Sequence, residues 1–303
     1  MTWLVTGGSG FLGRHVLAAL AGRGDRVIAM GRHQPGGWPI ENFVRADLDD
    51  AGATARAVEA VAPDVVIHAA GKTPPATASA LYLANVRGTM HLLDALRATG
   101  QPCRVVLAGS AAELGPVPAE HLPVPEDSPC RPTDAYGLSK WAASRLGLMA
   151  GPPLSVMVGR IFNVIGPGLP TSQAFGRFAA SLRDPRTATI RAGDLDARRD
   201  FVDVRDAARA LIAIAEFGRE RTLYHVGSGE SRSVGEGLRE LIRLCGRSVE
   251  IEDAPGRRGP TDSRADISRI TREVGWSPQV AWERSIADLW FDALRTPDTR
   301  RVA

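Results

Sequence analysis

Three side chains stand out by type and spacing as able to do chemistry. In Tyr136-Gly-Leu-Ser-Lys140 a phenol and an ammonium lie four residues apart, one helical turn, so both project from one helix face. The chain has three tyrosines and, among 37 basic residues, two lysines, Lys72 and Lys140, so composition alone rarely yields such a pair. A phenol ionises near pH ~10, and a neighbouring cation favours its anion, which lets it exchange a proton closer to neutrality. The plain alternative is a solvated surface pair. Ser110, in Ala108-Gly109-Ser110-Ala111-Ala112-Glu113-Leu114-Gly115, follows a wholly apolar run. At the carboxyl end of a parallel strand its hydroxyl points into the crevice where ligands bind and can hydrogen-bond a carbonyl or alcohol beside the tyrosine. Read alone, it is equally a helix cap.

The elements that must position these groups begin at the first residues. An apolar, β-prone run over 2–6 leads into Gly7-Gly8-Ser9-Gly10, and helical spacing follows over 11–21. Gly7, Gly10 and Gly13 thus form G-x-x-G-x-x-G between a strand and a helix. Such a turn lets backbone approach a pyrophosphate, with the helix N-terminus supplying amide donors and partial positive charge. This context favours a dinucleotide over a merely structural turn, with Gly7, Gly10, Phe11, Leu12 and Gly13 at the cofactor. A second strand over 26–30 ends in Met30-Gly31-Arg32-His33, without the carboxylate that would accept from a ribose 2′-OH. Arg32 is therefore a candidate for a 2′-phosphate, against the reading of a surface arginine, and NADP is preferred to NAD. Asp47-Leu48 either reaches the adenine edge or caps the alanine-rich helix over 51–61. His68-Ala69-Ala70-Gly71 ends a buried strand in small residues, as close passage of a cofactor requires, although packing alone explains alanines; His68 reads as a satisfied strand histidine.

Strands over 65–69, 104–108 and 155–161 alternate with helices over 81–99 and 136–149. The pattern predicts an α/β fold, a Rossmann-type doubly wound parallel sheet. Six prolines at 116, 118, 123, 125, 129 and 132 make residues 115–133 an irregular loop rather than a core element. Beyond Gly166 the alternation loosens: helices over 175–182 and 204–217, an Arg/Asp-rich bend at 191–200, a final sheet strand over 224–226 and an extended piece over 249–252. The expected division is a dinucleotide-binding domain over 1–166, rejoined by about 191–228, with 167–190 and 229–303 forming a smaller C-terminal α/β lid that binds substrate.

A chain of 303 residues with 44% hydrophobic content buries a large core, and 37 basic against 34 acidic side chains leave a formal charge of +3 without a basic stripe, which argues against nucleic acid. Cys103, Cys130 and Cys245 match no metal-ligand or paired spacing and suit a reducing cytoplasm. No run approaches the roughly 20 apolar residues of a membrane span, and the first apolar run, at Thr2, has no basic leader. The expected location is cytoplasmic, with no membrane partner and no metal.

Together these residues resemble the extended short-chain dehydrogenase/reductase family, in particular its nucleotide-sugar epimerases, dehydratases and reductases, over nearly the whole chain. Thr6-Gly-Gly-Ser-Gly-Phe-Leu-Gly13 is similar to the family's cofactor loop, and His68-Ala-Ala-Gly71 and Asn85-Val-Arg-Gly-Thr89 resemble its next landmarks, which adds Asn85 to the cofactor residues. Ser110, Tyr136 and Lys140 match the catalytic triad by position. The resemblance gives Asn163, in Arg160-Ile-Phe-Asn163-Val-Ile-Gly-Pro-Gly168, a contact to the sugar nucleotide. It gives Arg199, in Arg199-Asp-Phe-Val-Asp-Val-Arg-Asp206, a grip on the diphosphate, shared with Arg257 or Arg258. Family dehydratases carry an acid/base carboxylate just behind the catalytic hydroxyl, where this chain has Ala111 and Ala112. Gly-Ser-x-x-Glu, with Glu113, resembles instead the GDP-6-deoxy-4-keto-hexose reductases.

The resemblance implies that Tyr136 gives a proton to a sugar 4-keto oxygen polarised by Ser110 as a nicotinamide delivers hydride, while Lys140 tunes Tyr136 and holds the nicotinamide ribose. An epimerase that keeps its NAD, and a dinucleotide sensor without catalysis, are the alternative readings. Nucleotide, sugar, stereochemistry and oligomeric state stay open; two sheet-flanking helices commonly pair in relatives, so a homodimer is one outcome.

Overall fold

The computed structural model describes residues 1–253 and 262–295. Its centre is a seven-stranded sheet of β1 (Thr2–Thr6), β2 (Arg26–Gly31), β3 (Phe43–Arg45), β4 (Val65–His68), β5 (Cys103–Ser110), β6 (Leu154–Ile161) and, later in the chain, β11 (Leu223–Val226). The order β11-β6-β5-β4-β1-β2-β3 is parallel throughout. Winding reverses between β1 and β4, where Thr6 lies opposite His68, which is the place such sheets open a crevice at their carboxyl edge.

Continuous apolar strands arise because both faces are covered. Trp3, Val5, Val65, Ile67 and Val106 point to one face, into a core with α1 (Phe11–Leu20) and α7 (Val204–Phe217). Their neighbours Leu4, Val66, Val105 and Leu107 point to the other, toward α2 (Ala51–Val61) and α4 (Gly88–Ala98). The helix expected over 81–99 begins earlier, as α3 (Ala78–Tyr82), and reaches α4 through a π turn at Leu83–Arg87 that holds Asn85. Helix α5 (Ala135–Leu148) closes this face beside β5 and β6.

The loop over 115–133 is irregular, as expected, yet partly buried: Val124 is 1% exposed and bridges to Ala265. Pro123 and Pro125, which lack an N–H, confine the pairing to that single bridge but do not prevent the packing of the apolar residues between the prolines.

A second apolar cluster unites Ile165, Phe175, Phe178, Leu241, Ile286 and Trp290. Around it lie α6 (Ala174–Leu182), α8 (Val234–Cys245) and α10 (Trp282–Arg295), whereas α9 (Ser268–Val274) packs into the first core through Ile270 and Val274. Three two-stranded ladders accompany them: β7 (Asn163–Ile165) with β10 (Phe201–Asp203), β9 (Arg198–Arg199) with β12 (Arg232–Ser233), and β8 (Thr189–Ala192) with β13 (Glu250–Asp253). The bend expected at 191–200 therefore contains short strands.

Buried aspartates tie this second part to the sheet. Asp200 accepts from Ser228 N at 2.6 Å, Ser228 Oγ at 2.7 Å, Gly229 N at 3.0 Å and Ala265 N at 3.1 Å. Asp206 accepts from the amides of Gln279 and Val280, each at 2.9 Å, and Asp203 from Ser285 Oγ at 2.6 Å. From the other side, α1 holds the chain entering the second part, with Arg14 Nη2 donating to Gly168 O at 2.5 Å and His15 Nε2 to Pro167 O at 3.1 Å.

Candidate active site

Ser110 is the last residue of β5, so its side chain stands at the carboxyl edge of the sheet. It also caps the short 3-10 turn Ala111–Glu113: its Oγ accepts from Ala112 N at 3.2 Å and its amide donates to Glu113 Oε1 at 2.8 Å. The cap reading of Ser110 is thus present in the structure, and the cap fixes the hydroxyl at the strand tip. Asp134 starts α5 by accepting from Gly137 N at 2.7 Å, placing Tyr136 in the first turn and Lys140 one turn on. The Ser110 hydroxyl stands close enough to the Tyr136 phenol to favour its ionisation. Lys140 Nζ reaches under the site to donate to Ala108 O at 2.5 Å. Residues of β5 and α5 thus meet at one strand tip.

The electrostatics depart from the sequence argument. Burial pushes the Tyr136 phenol up, the Ser110 hydroxyl pulls it down, and the carboxylates of Glu113 and Asp134 add to the rise. Lys140, expected to make the phenol acidic, is not among the influences; its own ammonium is pushed down by burial, with Glu113 opposing. The desolvation cost of a buried phenolate exceeds what the surroundings return, so the phenol is a proton donor at neutral pH.

The reason for Glu113 at that position is structural. Its side chain, 0% exposed, pairs with Arg160 at 3.1 Å and accepts from Ser144 Oγ at 2.9 Å as well as from Ser110 N. Arg160 is itself buried and also contacts His225 Nε2 at 3.3 Å and Cys130 Sγ at 3.1 Å. Sequence reasoning singled out Glu113 but missed this pair. The signal was an arginine inside the otherwise apolar strand β6, which demands a buried partner.

At the glycine turn, Gly7 has φ +75°, and a Cβ there would sit 2.6 Å from Ala70 N; a Cβ on Gly13 would sit 2.1 Å from Gly7 O. Backbone meets backbone at both places, which only glycine permits. Helices α2, α5, α7 and α8 are capped by the side chains of Asp50, Asp134, Asp203 and Ser233, whereas α1 starts at Gly10 without a side-chain cap. Phe11, Leu12 and Gly13 thus form a first turn without a side-chain acceptor, and this donor set fits a pyrophosphate. Thr6 organises the crevice wall: its O accepts from Ala69 N at 3.2 Å, and its Oγ1 meets Ala70 N at 3.3 Å and His68 Nδ1 at 2.7 Å. His68 also meets Thr89 Oγ1 at 3.0 Å, and burial, then Lys140, pushes its imidazole down to about 3. It is the satisfied strand histidine expected.

Other candidates separate. Arg32, just past β2, is exposed and has no ion-pair partner among the described residues. Asp47 is exposed and does not cap α2, because Asp50, three residues nearer, accepts from Ala53 N at 2.9 Å. The Leu48 carbonyl meets His91 Nδ1 at 2.7 Å. Gly71 adjoins Asn85, whose amide is used internally: Oδ1 accepts from Lys72 N at 2.7 Å and Nδ2 donates to Lys72 O at 3.0 Å and Ser139 Oγ at 2.9 Å. Asn85 therefore ties the loop after β4 to α5. Asn163 Nδ2 donates to Asp200 O at 3.1 Å, and half-buried Arg199 donates to Arg198 O at 2.6 Å, its guanidinium pushed down by burial. Arg257 and Arg258 lie outside the described residues.

A glycine turn at an uncapped helix beside a serine–tyrosine–lysine constellation defines a dinucleotide-dependent oxidoreductase of the short-chain type. Residues 3–227 match the NAD dependent epimerase/dehydratase family, and the chain belongs to it. It is 31% identical over 299 residues to the dTDP-6-deoxy-L-talose 4-dehydrogenase (NAD(P)(+)) of Kitasatospora kifunensis, covering 94% of this chain and 93% of that protein. It is 31% identical over 305 residues to the GDP-6-deoxy-D-mannose reductase of Pseudomonas aeruginosa, covering 95% of each. Among solved structures, RMD from Pseudomonas aeruginosa complexed with NADPH superposes with a TM-score of 0.85 at 28% identity, over 97% of this chain and 99% of that one. Thermus thermophilus UDP-glucose 4-epimerase with NAD gives 0.83 at 29%, over the same shares. No helix among the described residues is long and apolar enough to cross a membrane.

Proposed function

We propose that this chain reduces the 4-ketone of a nucleotide-linked 6-deoxyhexose with NADPH, in the cytoplasm. The observation that carries the reading is the meeting of Ser110 and Tyr136 at the tip of β5, where burial holds the phenol protonated. The relatives' names add a 6-deoxyhexose on a nucleoside diphosphate and oxidoreduction, in one case at carbon 4. When bound, the nicotinamide supplies the hydride. Ser110 orients the ketone oxygen, Tyr136 protonates it, and Lys140 stands one turn away to meet the ribose hydroxyls once drawn from Ala108 O. Gly7, Gly10, Phe11, Leu12 and Gly13 would hold the pyrophosphate, Ala69, Ala70 and Gly71 would line the crevice, and Asp47 and Leu48 would lie toward the adenine. Arg32, free at the end of β2, would take the 2′-phosphate. Asn163 and Arg199 would meet the sugar nucleotide, under a lid formed by the second core.

Replacing Tyr136 with Phe keeps the ring and removes the proton. The expected result is a fall in kcat of about 10²- to 10⁴-fold with NADPH affinity unchanged; near-normal turnover would remove Tyr136 from the mechanism. An epimerase would instead purify with tightly held NAD, as a reductase must release its cofactor every cycle.

We also propose a homodimer. Exposed Tyr82, Leu83, Met90 and Leu138 lie on the neighbouring elements from α3 to α5 and offer a shared apolar strip.

A further inference from the structure

Behind Ser110, on the α5 face of β6 and β11, lies a cavity of about 760 Å³, within the size range of small-molecule sites. Tyr136 does not line it. Its walls include the buried Glu113–Arg160 pair, with Ser144 and Trp141 from α5 and Arg145, Arg219 and Arg221. Its charges do not balance. Arg160 is matched by Glu113, and Arg269 lies 3.7 Å from Glu126. Arg145, Arg219 and Arg221 have no ion-pair partner among the described residues, and Asp127 is the one lining carboxylate left to face them. Three guanidiniums lining one concavity repel one another, and an anion that joins them relieves that repulsion. Their planar forks match phosphate oxygens, and the half-exposed Trp141 ring offers a face for a flat group.

We propose that this cavity is a second ligand site, taking the di- or triphosphate of a small anion on Arg145 and Arg221, and that its occupancy is transmitted to Ser110 through Arg160 and Glu113. The route is one carboxylate: Glu113 Oε2 accepts from Arg160 Nη2 at 3.1 Å, and its Oε1 accepts from Ser110 N at 2.8 Å. A phosphate competing for Arg160 loosens Glu113 and with it the serine. Nucleotides and inorganic polyphosphates share this chemistry.

Calorimetric titration of the NADPH-saturated protein with inorganic pyrophosphate and, separately, with ATP tests the site. Arg145 and Arg221 are exposed, so Arg145→Ser with Arg221→Ser leaves the core intact. The double variant is expected to bind roughly tenfold more weakly or worse, with NADPH affinity unchanged. Tighter binding of ATP than pyrophosphate, lost in Trp141→Ala, assigns a nucleotide; equal binding assigns the inorganic ion. Equal affinity in wild type and double variant, or no binding of either probe at millimolar concentration, overturns the site. The coupling is read without turnover, from the ultraviolet titration of the Tyr136 phenol against Tyr136→Phe. Occupancy weakens the influence of the Ser110 hydroxyl and moves the midpoint upward; an unmoved midpoint overturns the coupling. The binding arms do not depend on the reductase reading, so either can fail alone.

Discussion

Glu113 and Tyr136 show how one residue's surroundings decide its work. Glu113 accepts four hydrogen bonds from Ser110, Ser144 and Arg160 and is thereby committed to holding the serine. Glu113→Ala leaves Arg160 charged, buried and unpaired, a change that costs on the order of 3–5 kcal/mol. A drop in the denaturant midpoint with an unchanged slope is the expected reading, and a midpoint within error of wild type would mean that the pair is not holding the turn. For Tyr136 the consequence is in the pH profile. Its phenol, raised above the ordinary value of 10.0, is protonated throughout the neutral range, so reductive kcat holds level there and declines only as pH climbs through the raised value. Oxidation of the product alcohol needs the phenolate and rises over the same interval. Measuring kcat against pH in both directions checks this; a reductive rate that falls near neutrality contradicts it.

At the scale of elements, uninterrupted apolar runs and clear helical periods were the most legible part. Residues 2–6, 51–61 and 204–217 fold with the expected bounds, because an uninterrupted apolar run or a clear helical period needs no distant partner to be read. Tyr136 and Lys140 were legible for the same reason, since their relation is local to α5. Illegible were the relations that span the chain: Arg160 to Glu113, Arg14 to Gly168, and the aspartates of β10 and α7 to the C-terminal segment. In sequence, Asp200, Asp203 and Asp206 resemble surface charge, and their burial follows only from the segment that packs over them. The π turn was equally invisible; it holds Asn85, whose partners Lys72 and Ser139 lie on other elements. Asp206→Ala strips two amides of their acceptor, at about 1–3 kcal/mol each. Limited proteolysis is expected to cut within α9 and α10 sooner, with NADPH affinity unaltered; protection equal to wild type would show that packing alone secures them.

For the whole molecule, the sheet supplies a rigid edge and the second cluster a separate core, and the apolar strip from α3 to α5 lies apart from both. Met90→Glu with Leu138→Glu places charges in that strip and is expected to convert a dimer to a monomer in sedimentation without loss of fold. A wild-type protein that sediments as a monomer would dispose of the dimer. The aspartate attachment has one more implication. Asp200 and Asp206 grasp the outer portion of the chain largely through its peptide groups, which every amino acid except proline possesses, so that portion can exchange its residues while its seat is preserved. Selection for a new sugar could rewrite the contacts above the crevice and leave the reaction machinery below undisturbed.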